Sequence, residues 1–165
     1  MLIKQKNKLF ELRGKGLKFV YCYGKGLSLL ANRGFKDGEV VIKMSGKAVP
    51  VERSSKEAVQ IDNNNFLDSE YMVVEDFINH SCRPNTHCDI ENRKFVAIKD
   101  IVADEEITFN YCTTELDMKK YGTDFSCECG AKSCYGKVMG FKYLASEEQK
   151  RLLPYLSPFL KTKVI

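Results

Sequence analysis

Apolar residues come in short bursts along most of this chain, and long helical stripes are few. Residues 17–23 are rich in β-forming side chains and run into the turn Gly24-Lys25-Gly26. A second apolar run covers Leu27 to Ala31. After the turn Lys36-Asp37-Gly38, the β-branched stretch Glu39 to Met44 predicts a third strand. Asp62-Asn63-Asn64-Asn65 reads as a polar loop, and Lys94 to Ile98 alternates as a half-buried strand does. A turn at Ala103-Asp104-Glu105 precedes the run Glu106 to Tyr111. Beyond Cys134 the period lengthens. Ser146-Glu147-Glu148-Gln149 has the form of a capping box at a helix start. Leu152, Tyr155, Leu156, Phe159 and Leu160 then fall at helical spacing, interrupted by Pro154 and Pro158. One broken or two short helices are expected on a mostly β body, with their apolar face docked there rather than forming a dimer interface.

Composition narrows the class. The chain has 165 residues, 44% hydrophobic and 29% charged, which suits one folded body with a small tail. No apolar run approaches a membrane span, and the first residues carry no secretory apolar stretch. An intracellular protein, cytoplasmic or nuclear and without membrane contact, is the expectation. The net charge of +4 is spread out, and no aromatic ladder accompanies the basic stretch Lys4 to Lys18. It reads as a solvated face, and direct nucleic-acid binding is not expected. Seven cysteines in such a chain point to metal or buried thiols rather than to a disulfide framework.

The densest chemistry lies at Phe77-Ile78-Asn79-His80-Ser81-Cys82-Arg83-Pro84-Asn85. Two amides, an imidazole and a thiol around one proline suit an irregular pocket wall better than a helix or strand. Taken singly, Tyr111 is a packed core tyrosine, His80 a structural histidine and Gly24-Lys25-Gly26 a hairpin turn. In order they say more. Gly24-Lys25-Gly26-Leu27, Asn79-His80-Ser81-Cys82 with Pro84-Asn85, Glu105 to Tyr111, and Cys127-Glu128-Cys129 with Cys134 and Gly136 all occur in one chain. The ordered set resembles the SET-domain protein lysine methyltransferases with a post-SET cysteine cluster.

That resemblance implies a fold of small curled β-sheets with a pseudoknot, a zinc-bound post-SET segment and short C-terminal helices. The body would cover residues 15–115, the zinc segment 123–140 and the helical tail 141–165. It also implies methyl transfer from S-adenosyl-L-methionine to a lysine of a protein or peptide substrate. Lys25, Gly26, Leu27, Phe77, Asn79, His80 and Tyr111 would hold the cofactor, with His80 contributing its backbone. Tyr111 would be the catalytic residue at the end of a narrow channel that includes Phe109. A phenylalanine at that position leaves room for methylated nitrogen, so di- or trimethylation is expected. The channel must favour the neutral amine, because a free lysine with pKa of about 10.4 is nearly all ammonium at neutral pH.

The cysteine cluster Cys127-x-Cys129-x4-Cys134 supplies three thiols, and structural zinc takes four ligands. The resemblance brings Cys82 in as the fourth, with Cys112 as a competitor; Cys22 and Cys88 read as packing residues. Three positions depart from the family pattern. Ser28 stands where a glycine is usual, Asp76 where an arginine is common, and Met44 where a channel tyrosine is common, leaving Tyr71 as a substitute wall. The rival reading is therefore a non-catalytic SET-fold module that binds peptide or cofactor without transferring methyl. Oligomeric state is not readable.

Overall fold

A computed structural model describes residues 16–22 and 26–164; Gly24 and Lys25 of the expected turn Gly24-Lys25-Gly26 lie outside the described residues. Strands β1 (Leu17–Cys22) and β2 (Gly26–Ala31) form an antiparallel hairpin, Leu17 facing Ala31 and Cys22 facing Gly26. Next come β3 (Val40–Lys43), β4 (Lys47–Pro50), β5 (Val59–Gln60) and β6 (Asn65–Asp68). The dense motif holds β7 (Asn79–His80), followed by β8 (Thr86–Asp89), β9 (Lys94–Ala97) and β10 (Thr108–Phe109). A single-turn helix α1 (Met118–Tyr121), strands β11 (Phe125–Ser126) and β12 (Lys137–Val138), and helices α2 (Ser146–Leu152) and α3 (Pro158–Lys161) complete the chain.

The sheets are small. β3, β9 and β8 form one antiparallel unit, and β4, β6 and β5 another. Alternation explains the first: Thr86 and Cys88 of β8 and Phe95 and Ala97 of β9 are buried, while their neighbours along the strand are more exposed. β7 and β10 pair in parallel, Asn79 beside Thr108 and His80 beside Phe109. The mostly β fold with few short helices is the class expected from the sequence. Periodicity announced neither the two-residue strands nor the parallel pairing, since two residues carry no period.

Two expectations change in detail. The run ending at Tyr111 is a strand only through Phe109. Asn110 accepts a hydrogen bond from the Cys112 N–H at 3.0 Å and so caps a 3-10 turn over Tyr111–Thr113, which takes the backbone off the sheet. The expected capping box does not form. α2 begins after Ala145 without a side-chain cap, and Gln149 instead donates to the carbonyls of Phe141 and Leu144. α3 is conventionally started, with Pro158 in its first turn and Ser157 Oγ accepting from the Leu160 N–H.

Two buried clusters hold these elements. One is the β body, built on Leu17, Leu29, Phe35, Ile78, Phe95 and Ile107. The other joins Cys82, Cys112 and Met118 to Val138, Phe141, Leu152, Leu156, Phe159 and Leu160. The helical apolar face therefore docks on the chain's own body. Gly140 makes the approach possible: at φ 106°, a Cβ there would lie 2.6 Å from the Leu116 carbonyl oxygen. Tyr111 packs against both clusters.

Candidate active site and metal cluster

Strand β7, the signature strand of the dense motif, is tied down by its Asn79 amide. Asn79 Nδ2 donates to Ser28 Oγ at 2.9 Å and to Glu106 Oε1 at 2.8 Å. Both hydrogens of the Asn79 amide nitrogen are thus directed to partners within the protein. Ser28 is fully buried and serves as the partner of that amide, which accounts for a serine at this position. Gly26 has φ 82° and nothing within 4 Å of where a Cβ would be, so the start of β2 is open to a ligand approaching the backbone. Leu27 beside it is exposed, and Phe77 packs edge-to-face on Phe19, centroids 4.9 Å apart.

His80 is spent on structure. The Tyr111 N–H donates to Nδ1 at 3.2 Å, which leaves the proton on Nε2, 3.3 Å from Cys82 Sγ. Burial pushes its pKa down to about 4, so the ring is neutral. Its ring meets Tyr111 and Phe125 edge-on at centroid distances of 5.3 and 5.8 Å.

Tyr111 opens its 3-10 turn with its hydroxyl donating to the Ile78 carbonyl at 3.0 Å. Burial, with the carboxylate of Glu115 adding to it, raises the phenol pKa and keeps the proton on Oη. The ring stands 4.7 Å from Phe109 and 6.0 Å from Phe125, centroid to centroid. All three line a cavity of about 450 Å³, together with Met44, Ile78 and Tyr121. Met44 thus occupies the wall where a tyrosine was the pattern, held by the Cys88 thiol, which donates to its sulfur at 3.6 Å. Tyr71 does not substitute for it: 69% exposed, it lies outside the wall, and Tyr121 is the second tyrosine there. Asp76 also lines the cavity. It accepts from the Val73 N–H at 2.8 Å, and burial lifts its pKa to about 6. Phe77, Asn79 and His80 do not line this cavity.

The thiols of Cys82, Cys127, Cys129 and Cys134 all lie within 4.8 Å of one another. Cys82 and Cys127 are 3.8 Å apart, and the sulfur–sulfur edge of a zinc thiolate tetrahedron is about 3.8 Å for Zn–S of about 2.3 Å. The donor set therefore fits one tetrahedral metal ion. Cys112 is outside it, buried in the second cluster with its pKa pushed up to about 12. Burial opposes ionisation of Cys129, but hydrogen bonds from the backbone at Cys82 and Ala131 and from the neighbouring thiols bring it down to about 6.

Several residues to which the sequence reading gave no part in the site bind the tail to this centre. Glu148 pairs with Arg83 at 2.7 Å and Arg151 at 2.9 Å, and Arg151 also reaches the Cys82 carbonyl at 3.2 Å. Tyr135 joins them: its hydroxyl donates to Glu148 at 3.1 Å and accepts from Asn110 Nδ2 at 2.8 Å. Glu115, four residues after Tyr111, lines the cavity as a carboxylate. No spacing rule marks any of them, because each is brought in by the fold rather than by a local motif.

Comparison with known proteins gives these sites a context. Residues 26–112 match the family model described as SET domain. The histone-lysine N-methyltransferase, H3 lysine-36 specific, of Schizosaccharomyces pombe is 26% identical over 70% of this chain and 16% of its own length. The protein of the same description from Cryptococcus neoformans is 37% identical over 39% of this chain and 8% of its own. The chain thus spans a small part of these curated relatives. Among solved structures, KRYPTONITE in complex with mCHH DNA, H3(1-15) peptide and SAH superposes with a TM-score of 0.58, at 25% identity over 73% of this chain and 29% of that one.

Proposed function

Because this chain belongs to the SET domain family, we propose that it is an S-adenosyl-L-methionine-dependent protein-lysine N-methyltransferase acting on a histone or another lysine-bearing protein. The observation that carries the reading is Tyr111: a protonated hydroxyl fixed on the Ile78 carbonyl, in an aromatic cavity beside the signature strand. The names of the relatives support lysine as the acceptor.

In this reading Gly26, Leu27, Asn79 and the His80 backbone hold the cofactor, with Phe77, Lys25 and Tyr111 contributing. S-adenosylmethionine, when bound, supplies an electrophilic methyl group. The chain's own part is to prepare the amine. Phe109, Phe125 and Ile78 give the channel an apolar wall, which weakens the hydration of an ammonium lying against it. Tyr111 Oη donates its hydrogen bond to the Ile78 carbonyl, which leaves its lone pairs to accept from the lysine nitrogen and orient it. Phe109, which brings no hydroxyl to hold a water, leaves space for a methylated nitrogen. Cys82, Cys127, Cys129 and Cys134 would hold a structural zinc, which would tie segment 123–140 to the body, with residues 15–115 as the body and 141–165 as the docked tail.

Met44 in the wall favours the alternative of a non-catalytic module that binds peptide or cofactor. A calorimetric titration with S-adenosylmethionine, beside a methyl-transfer assay on lysine peptides, separates the two. Transfer supports the enzyme; binding without transfer makes the chain a module; no binding removes the cofactor assignment. Mass spectrometry of the product tests Phe109, and a product that stops at one methyl after long incubation rejects di- and trimethylation.

A further inference from the structure

The cavity beside Tyr111 carries a carboxylate that the methyl-transfer reading leaves unused. Glu115 hangs from the same turn as Tyr111, its N–H donating to the Tyr111 carbonyl at 2.9 Å, and both residues line the cavity. Its side chain is not loose. Oε1 accepts from the Gln60 N–H of β5 at 2.9 Å, and the Gln60 side chain returns the tie by accepting from the Leu116 N–H at 2.9 Å. The carboxylate is thereby held on the wall that a substrate lysine would pass. No lysine or arginine of the chain forms a salt bridge with it among the described residues.

Resting on the lysine methyl-transfer reading, we propose that Glu115 is the proton acceptor that deprotonates the incoming lysine ammonium. One N–H bond of the ammonium breaks, the nitrogen keeps the electron pair, and an O–H bond forms on the Glu115 carboxylate. The neutral amine then rests on Tyr111 Oη, and the neutral acid returns its proton to solvent as product leaves. Its basicity matches that role, since burial lifts the Glu115 pKa to about 7, against the pull of the Gln60 N–H and the Thr114 hydroxyl.

Other ionisable groups share the wall. Lys56 and Glu57 come from the segment before β5, Asp68 from β6, and Glu75 and Asp76 from the turn before the signature. Tyr111 and Tyr121 complete the set, and the nearby thiols of Cys88 and Cys112 are kept neutral by burial. Glu75 is engaged by the N–H and hydroxyl of Ser45. Carboxylates outnumber the single lysine, which draws a cation in. Asp76 also titrates near neutrality, so it needs its own control.

The test is the pH dependence of single-turnover methyl transfer in the full chain for wild type, Glu115→Gln, Asp76→Asn and Gln60→Leu. The glutamine still accepts from the Gln60 N–H, so the brace survives while the base is lost. Wild type is expected to rise through about pH 7 and level off. Glu115→Gln is expected to be slower by ~10²-fold at neutral pH and to keep rising into the alkaline range, following the substrate amine, with cofactor affinity unchanged. Asp76→Asn and Gln60→Leu are expected to keep the wild-type shape, the latter with a lower melting temperature. An unchanged profile in Glu115→Gln overturns the inference alone. A wild type that binds cofactor but transfers nothing at any pH overturns the methyl-transfer reading and this inference with it.

Discussion

The two buried clusters are built by different means. The β body is held by hydrocarbon: Phe35, Phe95, Leu17, Leu29, Ile101 and Ile107 are nearly or fully inaccessible, and hairpins and three-stranded sheets pair its backbone. The second cluster has two-residue strands, helices of at most seven residues and four converging thiols. Elements that short do not stand alone in water, because each fixes many torsions for few hydrogen bonds. The body can fold on burial, whereas the second cluster leans on the Glu148 network and, in the proposed reading, on a metal held by its four thiols. Tyr111 lies where the two meet, so its position depends on both.

Loss of the proposed metal should break that comparison most sharply. Chelation, or Cys127→Ser, is expected to release residues 125–138 to fast hydrogen exchange while β8 and β9 stay protected. Structural zinc contributes on the order of 10–16 kcal/mol in small peptide sites, so no other single change should rival it. Equal loss of protection in both regions would show that the clusters fold as one unit. Next come cavities. Leu160→Ala, at a fully buried position, should cost about 2–5 kcal/mol, and Phe95→Ala in the body about 3–5 kcal/mol. If the two regions are separable, denaturant unfolding of Leu160→Ala should shift only the transition reported by the tail.

The smallest effect is the most specific. Arg83 first, with Arg151 and the Tyr135 hydroxyl, holds Glu148 down to about 2, below the usual value of about 4.3. A depressed carboxyl stabilises above its unfolded pKa, and that stability is lost as pH falls from about 4.3 toward 2. Glu148→Gln should therefore cost about 1 kcal/mol at pH 7 and progressively less below pH 4. Thermal melts of the two proteins from pH 7 to pH 3 measure the convergence; a constant gap would remove the ion pairs from the account.

These regions also differed in how far the sequence disclosed them. Strands with a period, such as β9 and the β1–β2 hairpin, were legible, as was the broken helical tail. The placement of Tyr111 on the cavity wall and the convergence of the three close cysteines were also within reach, because each belongs to an ordered motif; their roles are proposals. Cys82 was brought in by family resemblance, and no spacing rule reaches from it to Cys127. The ties between Glu115 and Gln60 and between Glu148 and Arg83 were invisible, since polar partners far apart in sequence leave no periodic trace. The capping box at Ser146 failed for a local reason: Gln149 found tertiary carbonyls on Phe141 and Leu144 instead.

The proposed function stands or falls on methyl transfer at the Tyr111 cavity. The direct measurement is tritium transfer from labelled S-adenosylmethionine into a cell lysate and into lysine peptides, comparing wild type with Tyr111→Phe. Labelling of lysine is expected with wild type, and a loss of ~10²–10⁴-fold in the variant, far more than any weakening of cofactor binding measured beside it. Undiminished labelling by Tyr111→Phe would contradict it.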